Sequence, residues 1–148
     1  MKKIKYNTEY PRVFEKGTYR GYTYYITEGG IAPCAYVVLP RKLGGKDHPF
    51  YKKSVFELPF IPVHGGITYN RTEFRYDDVG EDSFVIGWDY GHGLDYTEYK
   101  KELVKSYKAM GLELKKYTYK DIIFDIKICI KYLEGDVVCE TDYGYIGD

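Results

Sequence analysis

The sequence lacks a charge excess, a cysteine framework and a long apolar run, and each absence excludes a class of protein. Its 22 basic residues balance its 22 acidic residues, which argues against a broad surface for extended nucleic acid or membrane lipid. Its three cysteines, Cys34, Cys129 and Cys139, lack metal-type spacing, so reduced thiols in a cytoplasm fit best. No apolar run reaches the length of a membrane span, and no hydrophobic stretch follows the charged N-terminus as in a secretory signal.

The length and the aromatic content favour one sheet-rich domain. The chain has 148 residues, which suits a single domain over residues 1–148. Tyrosine is unusually frequent, with 19 copies. It favours strands, and its rigid ring with a polar tip also suits interfaces and stacking on planar ligands. We therefore expect most tyrosines to cover sheet faces and a few to line a pocket or a contact between subunits.

The first ninety residues have the pattern of strands interrupted by glycine and proline. A first pair of strands is expected to meet at Gly17, and Pro59 and Pro62 argue against a regular central strand in their vicinity. The predicted strands cover residues 12–16, 18–27, 35–39, 67–69, 72–76 and 83–88.

Helical periodicity begins after Asp95. Asp95 and Glu98 have the spacing of a capping box, and Gly111 is placed to end the first helix. Thr118 is placed to cap a second helix, which Gly135 closes. The apolar stripes are Tyr96, Tyr99, Leu103, Tyr107 and Met110 in the first helix, and Tyr119, Ile122, Ile123, Ile126, Ile130 and Leu133 in the second.

The order of these elements, strands first and helices afterwards, predicts an α+β fold. We expect an N-terminal, mostly antiparallel sheet followed by two amphipathic C-terminal helices packed on it. The acidic tail after residue 135 contains one short apolar run, residues 137–139, that could form a late strand.

Two segments concentrate the residues that could form a site. Residues 63–69 read Val-His-Gly-Gly-Ile-Thr-Tyr, and residues 87–95 read Gly-Trp-Asp-Tyr-Gly-His-Gly-Leu-Asp. Glycine allows sharp turns and close backbone approach, and histidine can donate, accept, titrate or bind metal. The predicted ligand-binding residues are His64, Gly65, Gly66, Thr68, Trp88, Asp89, His92 and Asp95.

Several chemistries remain open for these side chains. Either histidine alone is more simply a structural residue, and Asp95 alone is more simply a helix cap. His64, His92, Asp89 and Asp95 could together hold a metal, but their spacing matches no metal motif, so no metal or cofactor is predicted. A histidine acting as general acid or base with Asp89 orienting it is also open. A serine elbow, a Walker loop and the two-histidine phosphoesterase pattern are all absent.

A joint site requires that the two segments meet. Val63 and Trp88 each end an extended run and are followed by glycine-containing loops. Parallel neighbouring strands, or an intervening strand that returns the chain, would bring both loops to one cleft, whereas antiparallel neighbours would separate them. Residues 67–76 are long enough for an intervening strand. We therefore predict that His64 and His92 lie at the same end of one sheet.

These segments resemble a family of small, largely uncharacterised phage and prophage proteins. Its members have a Cys-x-Tyr-Val-x-x-Pro strand, a His-Pro loop, a Val-His-Gly-Gly-(Leu/Ile)-Thr-Tyr segment and a Gly-(Phe/Trp)-Asp-x-x-His-x-x-Asp segment. The matching positions are Cys34, Tyr36, Val37, Pro40, His48, Pro49, residues 63–69, Gly87, Trp88, Asp89, His92 and Asp95. The first thirty residues and the helical end do not match, and the resemblance brings no established activity.

The resemblance implies a setting, because small accessory phage proteins often act on host physiology or defence. Some of them sequester or destroy nucleotide immune signals. We therefore expect a phage-type protein, in the host cytoplasm, that captures a small nucleotide-like signal as a homo-oligomer, without membrane or extended nucleic-acid partners. The alternatives are a small hydrolase or phosphodiesterase that degrades such a nucleotide, and a protein–protein inhibitor of a host factor.

Overall fold

A computed structural model describes residues 13–28, 32–39, 61–71, 74, 76–80 and 83–136. The fold is α+β, as predicted, with an antiparallel sheet followed by two C-terminal helices. The strands are β1 (Val13–Tyr19), β2 (Tyr22–Thr27), β3 (Cys34–Leu39), β4 (Tyr69–Arg71) and β5 (Phe84–Asp89). A 3₁₀ segment, Glu98–Leu103, leads directly into α1 (Val104–Ala109), and α2 covers Tyr119–Leu133.

The sheet has the strand order β1-β2-β3-β5-β4, and every neighbouring pair is antiparallel. In the centre, Ala35 lies opposite Ile26 on one side and opposite Trp88 on the other. The chain therefore crosses from β3 to the far edge, forms β4 there, and returns between the two as β5. This crossover places the two predicted site segments at the β4–β5 pair.

The first hairpin turns at Arg20 and Gly21, and the predicted break at Gly17 is wrong. Arg20 and Gly21 have φ values of 51° and 83°, and Tyr19 pairs with Tyr22 across them. Two consecutive residues with positive φ are the mark of a type I′ turn, which matches the twist of the flanking strands. Gly17 instead lies inside β1, where a Cβ atom would collide with the ring of Tyr24.

The two faces of the sheet are covered differently, because side chains alternate along each strand. One face packs against α2 in the main core, whose buried members include Ile26, Val37, Ile86 and Ile126. The other face carries an aromatic cluster. Its members are Tyr25, Tyr36, Tyr69, Phe74 and Tyr76, with Val85. The four tyrosines of this cluster cover a sheet face, as expected for most tyrosines of the chain.

Helix α2 forms as the sequence predicts. The Thr118 hydroxyl accepts the Asp121 backbone N–H, and the Asp121 carboxylate accepts the Thr118 backbone N–H, which completes a capping box. Gly135, with φ 80°, follows the helix. The predicted stripe is buried at Ile122, Ile126 and Ile130, and half-buried at Ile123 and Leu133. Tyr119 is the exception, since its ring is exposed and its hydroxyl donates to Glu15.

Helix α1 is shorter and more exposed than its periodicity predicts. It buries no side chain, and the predicted stripe is largely in solvent, with Tyr99 63% and Met110 65% exposed. The predicted cap is also wrong, because the 3₁₀ segment begins after Thr97 and Asp95 lies before it. Gly111, with φ 79°, does follow this helix as expected.

Some predictions fall outside the described residues. These concern the His48–Pro49 loop, the surroundings of Pro59 and the late strand at 137–139. Within the part of the chain that the structure describes, no helix has the length and apolarity needed to cross a membrane.

Candidate functional site

The two histidine loops meet at the end of the β4–β5 pair. The rings of His64 and His92 lie edge to face with their centroids 5.1 Å apart. The predicted convergence is therefore confirmed, although for a different reason. His64 lies in a turn that precedes β4, whereas His92 follows β5, and the Thr68 N–H donates to the Gly87 carbonyl at 2.9 Å. The start of one antiparallel strand lies beside the end of its neighbour, so the loops meet because the His64 loop precedes its paired strand, and not because it follows one as predicted.

The turn that carries His64 depends on its glycines. Gly65 and Gly66 have φ values of 72° and 76°, a region that side chains with a Cβ atom rarely adopt. The Gly66 N–H closes the turn by donating to the Val63 carbonyl at 2.9 Å. A Cβ atom on Gly65 would collide with the His92 ring, whereas one on Gly66 would meet no neighbour. The first glycine is thus required both for the turn and for the approach of the second loop.

Asp95 links the two loops through its buried carboxylate. It is only 3% exposed, and both carboxylate oxygens contact His64 Nε2, at 2.8 and 3.0 Å. One of the oxygens also accepts the backbone N–H of His92 at 2.9 Å. These contacts satisfy a carboxylate that would otherwise be costly to bury. Asp95 therefore orients the His64 ring and holds the start of its own turn, instead of capping a helix.

Lys100 stabilises the turn at residues 92–95 and is a residue that sequence reasoning missed. Its side chain is buried, at 5% exposed, and the ammonium donates to the carbonyls of His92, Gly93 and Asp95 at 2.9, 3.0 and 2.9 Å. All three donors of the ammonium are therefore used on the backbone. A lysine in a polar segment gives no sequence signal of such a role.

Aromatic rings enclose His64. Tyr90 stacks on it with centroids 5.1 Å apart and planes 11° apart, and Tyr117 lies at 4.4 Å. The Tyr90 hydroxyl accepts the Trp88 indole N–H at 3.0 Å and donates to Asp125 at 2.6 Å. Burial, and then the bond to Asp125, raises the pKa of the Tyr90 hydroxyl, so it remains a neutral donor. Neither Tyr90 nor Tyr117 was predicted as a site residue.

The other predicted residues lie at the edge of this cluster or outside it. Asp89 accepts the Gly91 N–H at 2.9 Å and lies 3.7 Å from His92 Nε2. Trp88 is buried in the main core, and the side chain of Thr68 is exposed. Of the eight predicted residues, the structure therefore brings His64, His92 and Asp95 together, with Gly65 packed against the His92 ring. Whether they bind a ligand stays a prediction.

A cavity of about 300 Å³ adjoins the cluster. Tyr117 joins the two, because it contacts the His64 ring and also lines the cavity. The Lys115 ammonium lies 4.7 Å from the centre of the same tyrosine ring. The lining is mainly apolar and aromatic. It comprises Ile26, Thr27, Glu28, Pro33, Tyr117, Tyr119 and Ile122.

The chain matches no protein-family model, no curated protein and no solved structure. Functional inference therefore starts from the geometry of the two histidine loops, the buried Asp95 and the cavity beside Tyr117.

Proposed function

We propose that this protein binds and sequesters a small nucleotide-like ligand at the two histidine loops and the adjoining cavity. The observation that carries the proposal is the position of Tyr117, which contacts the His64 ring and also lines the cavity. A polar cluster and an apolar cavity thus share one wall. A nucleotide has the same division, with charged phosphate at one end and a planar base at the other.

The polar cluster offers donors of the kind that hold phosphate. His64 and His92 contribute imidazole groups, and the Lys115 ammonium lies 4.7 Å from the centre of the Tyr117 ring, which contacts His64 and lines the cavity. Ring and ammonium N–H groups form charge-assisted hydrogen bonds to phosphate oxygens. Both Asp95 oxygens are already used within the cluster, on His64 and on the His92 backbone.

The cavity offers surfaces of the kind that hold a base. Ile26 and Ile122 supply apolar contact, and Tyr117 and Tyr119 supply rings on which a base can stack. Its volume of about 300 Å³ is at the small end of the range for small-molecule sites. It therefore suits one base with its sugar, with the phosphate left outside at the histidines.

The proposal is tested with a panel of mononucleotides, cyclic mononucleotides and cyclic dinucleotides. A bound member should raise the melting temperature, remain with the protein through gel filtration and return chemically unchanged after denaturation. Tyr117→Leu should weaken binding at least tenfold. Phe124→Leu, which shortens an exposed aromatic side chain outside the cavity, should leave it unaltered. A panel in which no member shifts the melting temperature or stays bound would overturn the proposal.

The His64–Asp95 contact favours a second candidate, a nucleotide hydrolase or phosphodiesterase. A carboxylate that holds an imidazole in one orientation is the usual partner of a histidine acting as general acid or base. Both Asp95 oxygens lie within 3.0 Å of His64 Nε2. Chromatography of each nucleotide before and after incubation separates the two candidates. A product that forms with the wild type and not with His64→Ala would replace sequestration by catalysis.

The proposal also includes a phage-type protein that acts in the host cytoplasm as a homo-oligomer. The apolar stripe left in solvent by Tyr99, Leu103 and Met110 supports self-association. Light scattering during gel filtration measures it directly. A mass equal to one chain at all concentrations would remove the oligomer from the proposal.

A further inference from the structure

His64, His92 and Asp95 form a set of metal-type donors that the sequence spacing did not reveal. A ring nitrogen of each histidine and a carboxylate oxygen all lie within 4.8 Å of one another. We propose that these three residues bind a divalent transition-metal ion, with zinc as the preferred ion. Two imidazoles and one carboxylate suit zinc, whereas magnesium and calcium prefer ligand sets made of oxygen. This inference does not depend on nucleotide binding.

The distances require only small side-chain movements. Zinc holds nitrogen and oxygen ligands at about 2.0–2.2 Å, so tetrahedral neighbours lie roughly 3.3–3.6 Å apart. His64 Nε2 and Asp95 are 2.8 Å apart, so this pair must open by roughly half an ångström as the ion replaces their hydrogen bond. The widest separation in the set, at most 4.8 Å, must close by roughly 1 Å. Rotation of the partly exposed His92 ring can supply that movement.

Two observations favour this placement of the donors over a chance encounter. Among the described residues, His92 Nε2 is a buried nitrogen without a hydrogen-bond partner, so coordination would satisfy it. The backbone that carries His92 and Asp95 is held by the Lys100 ammonium before any ion arrives. A fixed outer layer of this kind orients ligands and raises metal affinity. With three protein ligands, zinc keeps a position for water or for an oxygen of another molecule.

The test uses the full chain after treatment with a chelator and dialysis, without any nucleotide. Isothermal titration with Zn²⁺ should give one ion per chain, Co²⁺ should give the visible spectrum of four- or five-coordination, and Mg²⁺ should give no binding. His92→Ala should weaken Zn²⁺ binding at least tenfold. Asp136→Asn, at an exposed carboxylate paired with Arg20, should bind as the wild type does.

A second measurement protects the test against a variant that unfolds. In the wild type, Zn²⁺ should shift the imidazole nitrogen resonances of His64 and His92. A blank titration of the wild type, or equal binding by folded His92→Ala, would overturn the metal site. Zinc binding by a protein that retains no nucleotide would keep this inference and overturn the proposed function. A protein that retains nucleotide but shows no heat of zinc binding would overturn the metal site and keep the proposed function.

Discussion

Replacing Lys100 by Met tests whether the site turn depends on a buried ammonium. The change removes three hydrogen bonds of 2.9–3.0 Å to the carbonyls of His92, Gly93 and Asp95. Bonds to charged groups contribute about 1.5–3 kcal/mol each. The His92 carbonyl also accepts the Asp95 N–H, and the Gly93 carbonyl lies in an exposed residue that water can reach. We therefore expect the free energy of unfolding to fall by about 2–4 kcal/mol, less than the sum of three such bonds.

Urea unfolding followed by circular dichroism measures this change by linear extrapolation. Lys101→Met is the matched control, because Lys101 is the exposed neighbour in the same 3₁₀ segment. It should change the free energy of unfolding by no more than about 0.5 kcal/mol. If Lys100→Met also stays within about 1 kcal/mol of the wild type, the three contacts are not the support that the structure indicates.

Three further predictions concern the site turn and the buried hydroxyls. Gly65→Ala and Gly66→Ala both place a Cβ atom at positive φ, which should cost each variant about 1 kcal/mol of stability. Only the Cβ atom on residue 65 collides with His92, so Gly65→Ala should lose more stability than Gly66→Ala and should also shift the imidazole resonances of the site. Equal shifts in the two variants would contradict the collision. Burial raises the pKa of the tyrosines in β2 and β3, so the folded state keeps their protons while the unfolded chain loses them. Stability should therefore fall as pH rises above about 10, and tyrosinate absorbance should appear together with unfolding, not ahead of it. Burial opposes ionisation of Asp77, but its bonds to Lys16 and Tyr25 outweigh burial and lower its pKa from 3.8. Asp77→Asn should lose stability at pH 7, and the loss should shrink as pH falls through that lowered pKa; a loss that persists in strong acid would place its cause elsewhere.

The elements that were predicted well are those whose pattern and packing agree. β3 and β5 are short apolar runs at the centre of the sheet, and both formed close to the predicted bounds. Helix α2 combines a capping box, a buried stripe and a closing glycine. In each case, the local signals and the burial required by the fold point to the same structure.

The elements that were predicted poorly are those in which residues of a recognisable local pattern contact something other than what the pattern suggests. Gly17 is a glycine because the Tyr24 ring packs over it, and not because the chain turns there. The turn uses Arg20 at positive φ, which is uncommon for a residue other than glycine, asparagine or aspartate. The stripe of α1 has helical spacing but faces solvent, because periodicity records one face of a helix without recording what covers it.

The site residues also divide into those with a local sequence signal and those placed by long-range contacts. Glycine–histidine turns are local, so His64, Gly65 and His92 could be identified from the sequence. Lys100 and Tyr117 reach the cluster through folds of the chain that no short motif encodes. Asp95 had a recognisable local role as a helix cap, and the structure gives the same carboxylate to a histidine 31 residues away. A long-range partner replaced the local one.

Strand β4 gives the first histidine loop little support, so side-chain contacts must hold that loop in place. Within the part of the chain that the structure describes, β4 has three residues paired with β5, and one further bond from Thr68 to Gly87 extends the pairing towards His64. A strand this short sets the direction in which the His64 loop leaves the sheet, but it does not hold that loop firmly in position. The loop is held in place by contacts beyond the strand: the bond from His64 to Asp95 and the stacking of its ring on Tyr90. His64, which would meet a ligand, therefore also holds the two loops together, so ligand binding and local stability should change together when either contact is removed.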